Sequence, residues 1–202
     1  MRMTEPERAQ RMVALTQALN ADAPAPRRLH LGCGTRHIPG FFHIDLVPHS
    51  HVDWLGSVER LDPIADDSVD LIYASHVLEH FGRYQVFDVV SEWYRVLRPG
   101  GVLRVAVPDF EAAAGFYLAD GDIRHVLGLI MGGQTAPHDY HYAIFDETNL
   151  GELLADVGFE RIRRYDWRQT EHAWLDDFSQ AYLPHMDKDN GTLVSLNVEA
   201  VK

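Results

Sequence analysis

Apolar positions along the chain alternate between short runs and longer segments of helical period. Arg27 to Leu31, Phe41 to Leu46 and Val52 to Leu55 read as strands, the last of them short. Val69 to Ala74 (VDLIYA) is an unbroken apolar run, as expected for a strand buried on both faces. From about Arg83 to Leu97, Val86, Val89, Val90, Trp93 and Val96 recur at helical spacing. Arg98-Pro99-Gly100-Gly101 ends that helix and leads into a fifth strand, Val102 to Val107. Helical patterns cover about 109–119 and 122–131, a loop holds 132–145, and a helix over 146–157 is capped by Gly158. Strands near Glu160 to Asp166 and Thr192 to Val201 close the pattern. At the other end, residues 4–20 read as a helix with Met12, Leu15 and Leu19 on one stripe, and the prolines between Ala21 and Pro26 stop it. Strands alternating with helices predict an α/β layer: a seven-stranded, mostly parallel sheet with flanking helices in a single domain over 1–202.

One connection strains that pattern. Gly34 to Gly40 leaves only about seven residues between the first two strands, where a parallel crossover normally needs a dozen or so. Pro39 and Gly40 discourage a helix there as well, so the first crossover is expected to be shortened to a turn or a loop.

Composition narrows the setting. The chain has 202 residues, 46% apolar and 24% charged, enough for one globular domain with a sizeable core. Its formal charge of −12 repels phosphate backbones and argues against nucleic acid as a partner. No apolar run approaches a membrane span and no signal peptide opens the sequence, so no membrane partner is expected. Cys33, the only cysteine, excludes an intrachain disulfide and a cysteine zinc site, and suits a reducing cytoplasm. Twelve histidines are present, yet no H-E-x-x-H or carboxylate-rich ligand spacing appears, so no metal site is expected.

The candidate chemistry concentrates in LHLGCGTRHIPGFFHIDLVP, Leu29 to Pro48. A strand runs into Gly32-Cys33-Gly34, where glycines let the backbone approach a nucleotide-like ligand, and the next strand ends in Asp45, an acceptor for ribose hydroxyls. The spelling is not the dinucleotide fingerprint. His37 stands where G-x-G-x-x-G needs its third glycine, and Asp45 follows sooner than the ~20 residues of that motif. A nicotinamide-dependent oxidoreductase is therefore the weaker alternative.

L-x-L-G-C-G-T followed by I-D resembles motif I and the acid of class I S-adenosylmethionine-dependent methyltransferases. DDSVDLIYASHVLEHF (Asp66 to Phe81), WYRVLRPGGVLRVAVPD (Trp93 to Asp109) and FDETNLGELLADVGFERI (Phe145 to Ile162) resemble successive segments of the type-11 methyltransferase group. These segments cover roughly 28–166 in the family's order. The short crossover with P-G-F-x-x-I-D looks most like a small bacterial subgroup linked to sugar and surface-polysaccharide genes. The family's adenine-binding acid has no counterpart in GSVERLDPI, where Ser57, Val58 or Glu59 occupies the region; a Ser57 hydroxyl and the Val58 backbone would substitute.

The resemblance implies a Rossmann-like fold with an S-adenosylmethionine-binding half over 27–107 and an acceptor-side half over 108–202, after an N-terminal helix and linker over 1–26. It implies cofactor contacts at Gly32, Cys33, Gly34, Asp45, Leu46, Ser57, Val58 and Ser75, with Cys33 a small packing residue without chemistry of its own. The expected acceptor is a small molecule, possibly a sugar or sugar nucleotide in type, methylated on a hydroxyl and held by the 108–145 segment. His76, just past the buried fourth strand, and His141, in the polar-aromatic loop PHDYHYAIF, are the candidate general bases, since histidine titrates near ~6.5. Glu79 and His80 are expected to pair and fix their loop, and Tyr140, Tyr142 and Phe145 to pack. A non-catalytic cofactor-binding scaffold is the other alternative, because fold does not fix activity.

Overall fold

The structure is a computed structural model that describes residues 27–202; the helix and linker expected over 1–26 lie outside the described residues. Its strands are β1 (Arg28–Leu31), β2 (Phe42–Asp45), β3 (Trp54–Leu55), β4 (Val69–Ser75), β5 (Leu97–Pro108), β6 (Glu160–Arg164), β7 (Tyr182–Leu183), β8 (Thr192–Leu193) and β9 (Ser195–Val201). Four α-helices accompany them among the described residues: α1 (Val86–Val96), α2 (Phe110–Asp120), α3 (Leu127–Met131) and α4 (Glu147–Val157). Seven strands form one sheet in the order β3-β2-β1-β4-β5-β9-β6. The pairs from β3 through β5 are parallel, and β9 runs antiparallel to both β5 and β6. This is the mostly parallel seven-stranded sheet that the apolar pattern predicts.

The main core lies on one face. Leu29, Leu31, Ile72 and Ala74 point from β1 and β4 into a cluster with Val86, Val89, Val90, Trp93 and Val96 of α1 and Leu150 and Leu154 of α4. The α1 residues recur every three or four positions, so one stripe of that helix is apolar and meets the sheet. Trp93 is fully buried, and its indole donates to the Val58 carbonyl at 2.9 Å, satisfying the one polar group it carries inward. Asp146 and Asn149 form a reciprocal cap at the start of α4, and Gly158 ends it in the left-handed conformation at φ +115°.

The opposite face is covered differently. No helix spans residues 32–41 between β1 and β2; instead Ile38 and Phe41 of the connection pack on Leu71 and Tyr73 of β4, with Leu175 beside them. The Ile38 N–H donates to His43 Nε2 at 3.0 Å, and the other ring nitrogen of His43 lies 3.3 Å from Asp53, which pins the connection to β2. His30 and His172 complete this smaller cluster around the buried Tyr73, with ring centroids 5.3 Å and 4.3 Å from it. The Tyr73 hydroxyl donates to Asp177 at 2.5 Å.

Three elements differ from the pattern read along the chain. The turn expected at 98–101 is absorbed into β5 as an irregularity, the register passing from Val69–Leu97 to Leu71–Val102 while Gly100 donates its N–H to the Lys202 carbonyl. The helix expected over 122–131 breaks into a single turn at Ile123–His125 and the short α3, neither burying one of its own side chains to drive a longer element. The last expected strand divides at Val194: β8 pairs with β7 as a separate ribbon, and only β9 joins the main sheet.

Burial beside the Arg104 guanidinium pushes the His172 imidazole down to about 4. Between about pH 6.5 and pH 4 the unfolded chain binds the proton that the folded chain refuses, so stability is full above that window and falls as the pH drops through it. The share from His172 is at most roughly 3 kcal/mol. Urea unfolding at pH 7.5 and pH 5 should show the loss in the wild type and a smaller one in His172→Gln; equal losses would remove His172 from the account.

Candidate functional site

The carboxyl end of β1 opens the site. Gly32 (φ +60°) and Gly34 (φ +53°) take left-handed conformations that side chains resist, so the chain can double back at once. A β-carbon on Gly32 would lie 2.4 Å from Val77 Cγ2, whereas one on Gly34 would meet nothing within 4 Å. Asp45, buried at the end of β2, secures this turn. One carboxylate oxygen accepts from the Gly34 N–H at 2.7 Å and the other from the Val47 N–H at 2.7 Å. Each oxygen keeps a lone pair for a further donor. The Cys33 thiol is pushed up to about 12 by burial and by the neighbouring Asp45 charge, so it stays protonated and inert.

A cavity of about 220 Å³ lies against this turn, lined by Gly32, Asp45, Leu46, Ser57, Val58, His76, Val77, His80, Phe81 and His138. Its wall is mainly apolar and carries one ionisable carboxylate. A second cavity of about 480 Å³ adjoins it and is lined by His125, Leu129, Asp139 and His141 on one side and by Phe178, Tyr182, Leu183, His185, Met186 and Val194 on the other. His76 and His80 line both cavities. They form the junction.

The hydrogen bonds at that junction set the state of each ring. The Asn197 amide donates to the Ser179 carbonyl, so its oxygen faces Ser195 and accepts that hydroxyl proton at 3.1 Å. Ser195 Oγ in turn accepts from His76 Nε2 at 3.1 Å, which leaves His76 Nδ1 directed at Glu79 Oε1, 3.2 Å away. His141 Nδ1 donates to the Leu129 carbonyl at 2.9 Å and His80 Nδ1 to the Tyr140 carbonyl at 3.0 Å. Glu79 is fully buried. That burial opposes its ionisation, but His76, His80 and His141 outweigh it and hold the carboxyl below its ordinary value. Burial lowers His141, with the Glu79 charge and the Leu129 carbonyl pulling the other way.

Of the residues expected at the cofactor, Gly32, Asp45, Leu46, Ser57 and Val58 line the first cavity together with His76. Cys33, Gly34 and Ser75 are not among its lining residues; the Gly34 N–H is committed to Asp45, and the Ser75 hydroxyl is buried without a hydrogen-bond partner. Glu59 is exposed and outside the cavity. His141 lies on the wall of the second cavity, while His138 of the same loop reaches the first. Tyr140 and Tyr142, expected to pack, stand exposed at 39% and 59%. Backbone bonds hold their loop, as the Tyr142 and Ala143 N–H groups donate to the Glu79 carbonyl, so only Ala143 and Phe145 need to reach the core. Residues 178–194 of the second cavity were not expected there, because their short turns carry no periodic signal.

Comparison with known proteins agrees with this geometry. The methyltransferase domain family matches residues 41–105. A ubiquinone/menaquinone biosynthesis C-methyltransferase of Rubrivivax gelatinosus is 30% identical over 128 residues, 58% of this chain and 49% of that protein. The chain spans half or less of the length of the curated relatives it matches. A SAM-dependent methyltransferase from Archaeoglobus fulgidus has a similar structure, with a TM-score of 0.55 at 15% identity over 96% of this chain and 94% of that one. So does a Burkholderia thailandensis 1,6-didemethyltoxoflavin-N1-methyltransferase solved with 1,6-didemethyltoxoflavin and S-adenosylhomocysteine, with a TM-score of 0.52 at 16% identity over 95% of this chain and 78% of that one. The solved structures share the Rossmann-like fold with this chain, and the methyltransferase domain match falls on its β2-to-β5 region.

Asp45→Ala should destabilise the fold by about 1.5–3 kcal/mol or more, since two charge-assisted hydrogen bonds vanish and two N–H groups lose their partner. Urea unfolding measures it. Wild-type stability in that variant would mean the carboxylate does not hold the turn.

Proposed function

We propose that this chain transfers a methyl group from S-adenosylmethionine to a hydroxyl of a small-molecule acceptor of sugar type. The observation that carries the reading is the pair of adjoining cavities that share His76 and His80. The first offers what the cofactor needs: Asp45 lone pairs for ribose hydroxyls, apolar Leu46, Val58, Val77 and Phe81 for an adenine ring, and the Gly32 turn at its edge. On its own it is smaller than the ~300–1,000 Å³ usual for small-molecule sites. It continues past His76 and His80 into the second cavity, which would take the acceptor.

The cofactor brings an electrophilic methyl group, so the protein's task is to align the acceptor and exclude water. His76 is poorly suited as a base, because Ser195 occupies one ring nitrogen and Glu79 faces the other. It would shape the junction between the two ligands. His141 has its Nδ1–H committed to the Leu129 carbonyl and its Nε2 on the side of Glu79, 4.0 Å away. Lining the second cavity, that nitrogen is the better placed of the two to act on an acceptor hydroxyl. A hydroxyl acceptor gains more from such help than a more acidic one would. The sugar-type assignment rests on the short P-G-F-x-x-I-D crossover and on nothing in the cavity walls.

Calorimetry with S-adenosylhomocysteine tests the cofactor half. Phe81→Ala and Val58→Asp should each weaken binding by at least about tenfold, while His141→Ala should leave it within a fewfold of wild type. A screen of hydroxylated small molecules, read as S-adenosylhomocysteine formed, tests the acceptor half. With a turned-over acceptor, His141→Ala should lower the rate by ~10²–10⁴. Undiminished binding in both cavity variants would reject the cofactor placement, and an undiminished rate in His141→Ala would reduce catalysis to alignment.

A further inference from the structure

Glu79 has no exposed surface; its Oε1 faces His76 Nδ1 at 3.2 Å, and its Oε2 has no hydrogen-bond partner among the described residues. A buried anion in that state is costly unless a cation stands beside it. The groups around it are the three histidines of the junction, each oriented by a bond on its far side. His141 and His80 donate Nδ1–H to the carbonyls of Leu129 and Tyr140. A carbonyl accepts only, so both rings carry their proton on Nδ1 and leave Nε2 as a bare lone pair. His141 Nε2 lies 4.0 Å from Glu79 Oε1. One ligand atom each from Glu79, His80 and His141 falls within 4.8 Å of the others. A bare His141 Nε2 and the Glu79 carboxylate repel one another unless a positive charge joins them.

We propose that Glu79, His80 and His141 bind a divalent transition-metal ion at the wall of the second cavity. Two imidazoles and a carboxylate suit zinc and its neighbours, whereas magnesium and calcium favour all-oxygen sites. The carbonyls behind His80 and His141 are the outer partners that fix tautomer and ring orientation in such sites. The backbone supports the same grouping, since the Glu79 carbonyl accepts from Tyr142 and Ala143 and so straps the loop of His141 against the turn of His80. A tetrahedral ion with bonds of 2.0–2.1 Å draws its ligand atoms to about 3.4 Å apart, a closure that small rotations of the His80 and His141 rings provide. Three protein ligands leave coordination positions open. His80 and His141 both line the second cavity, so those positions face it and are suited to an oxygen of a small molecule. That this oxygen belongs to the methyl acceptor rests on the proposed function; binding of the ion does not. With an ion present, His141 serves as ligand rather than as base.

The sequence hides this set because His141 is far from Glu79 and His80 along the chain. The remaining explanation is a proton: a doubly protonated His76, 3.2 Å from Glu79 Oε1, would neutralise the carboxylate and leave His80 and His141 without a function.

Chelator-treated, dialysed full-length protein is titrated with Zn²⁺ by calorimetry and with Co²⁺ by visible absorption. One equivalent should bind saturably, and the Co²⁺ bands should be those of a nitrogen–oxygen site without thiolate charge transfer. His80→Ala and His141→Ala, each with its folding checked by circular dichroism, should lower affinity by more than the ~10–100-fold that loss of a supporting partner costs. Glu79→Gln should do the same if it folds. His185→Ala, on the same cavity but outside the cluster, should leave affinity unchanged, and Mg²⁺ should not compete. Absence of saturable binding, or binding unaltered in both His80→Ala and His141→Ala, overturns the site. Metal binding without methyl transfer would overturn the proposed function and leave the site standing.

Discussion

A parallel strand pair needs a connection that climbs back across the sheet, and between β1 and β2 only residues 32–41 are available to do it. An α-helix does not fit in that length with its entry and exit turns. The chain reverses instead through Gly32 and Gly34, both with positive φ, and the Asp45 carboxylate binds the turn to the end of β2. One consequence follows from the missing helix. The sheet face it would cover must be sealed by what remains, and Ile38, Phe41, Leu175 and His172 do so around Tyr73. Asp45 belongs to two structures at once, the fold of the turn and the wall of the first cavity.

A second constraint comes from charge. The chain carries twelve histidines and a formal charge of −12, and several of those histidines are drawn inward. Those in the smaller cluster are apolar fillers: burial lowers His30 and His172, and they pack edge-on against Phe41 and tilted against Tyr73. Those at the junction are of another kind. Each of His76, His80 and His141 has one nitrogen tied to a fixed partner, and all three surround a buried carboxylate whose Oε2 has no hydrogen-bond partner. Packing alone explains the first group. It does not explain the second, because an apolar replacement of Glu79 would remove the cost of burying it.

Local pattern carried the architecture. The VDLIYA run is β4, the stripe from Val86 to Val96 is α1, Gly158 ends α4, and the short first connection contains no helix. What the pattern did not carry were the features fixed by long-range contact. Gly100 and Gly101 read as a turn because they are glycines, yet β4 and the Lys202 backbone keep them within β5. The 122–131 segment has helical spacing, but few of its side chains find a core to meet, so the helix shortens to α3. In the site, Gly32, Asp45 and His76 were legible because each sits at the end of a strand, where sequence position fixes spatial position. The meeting of His141 with Glu79 and His80 was not, because it depends on where a loop is strapped, and neither charge nor spacing records a bond to a main-chain carbonyl.

The two cavities differ in what builds them. The first is lined largely by residues at or just beyond the ends of β1, β2 and β4, held by the sheet's hydrogen bonds, and the match to the methyltransferase domain family over 41–105 covers most of that region. The second is lined by the turn at 123–125, α3, the 132–143 loop and the 178–194 segment, all outside that match. Strand ends are fixed by backbone geometry common to the whole fold, so the shape of the first cavity is set by the sheet. Short turns and loops are fixed only by their own side chains and can be reshaped without disturbing the sheet, so the shape of the second cavity is theirs to vary. His76 and His80 stand where the cavity held by the sheet meets the one held by loops. A change in either alters both cavities together, whereas a change at Tyr182, His185 or Met186 alters the second alone.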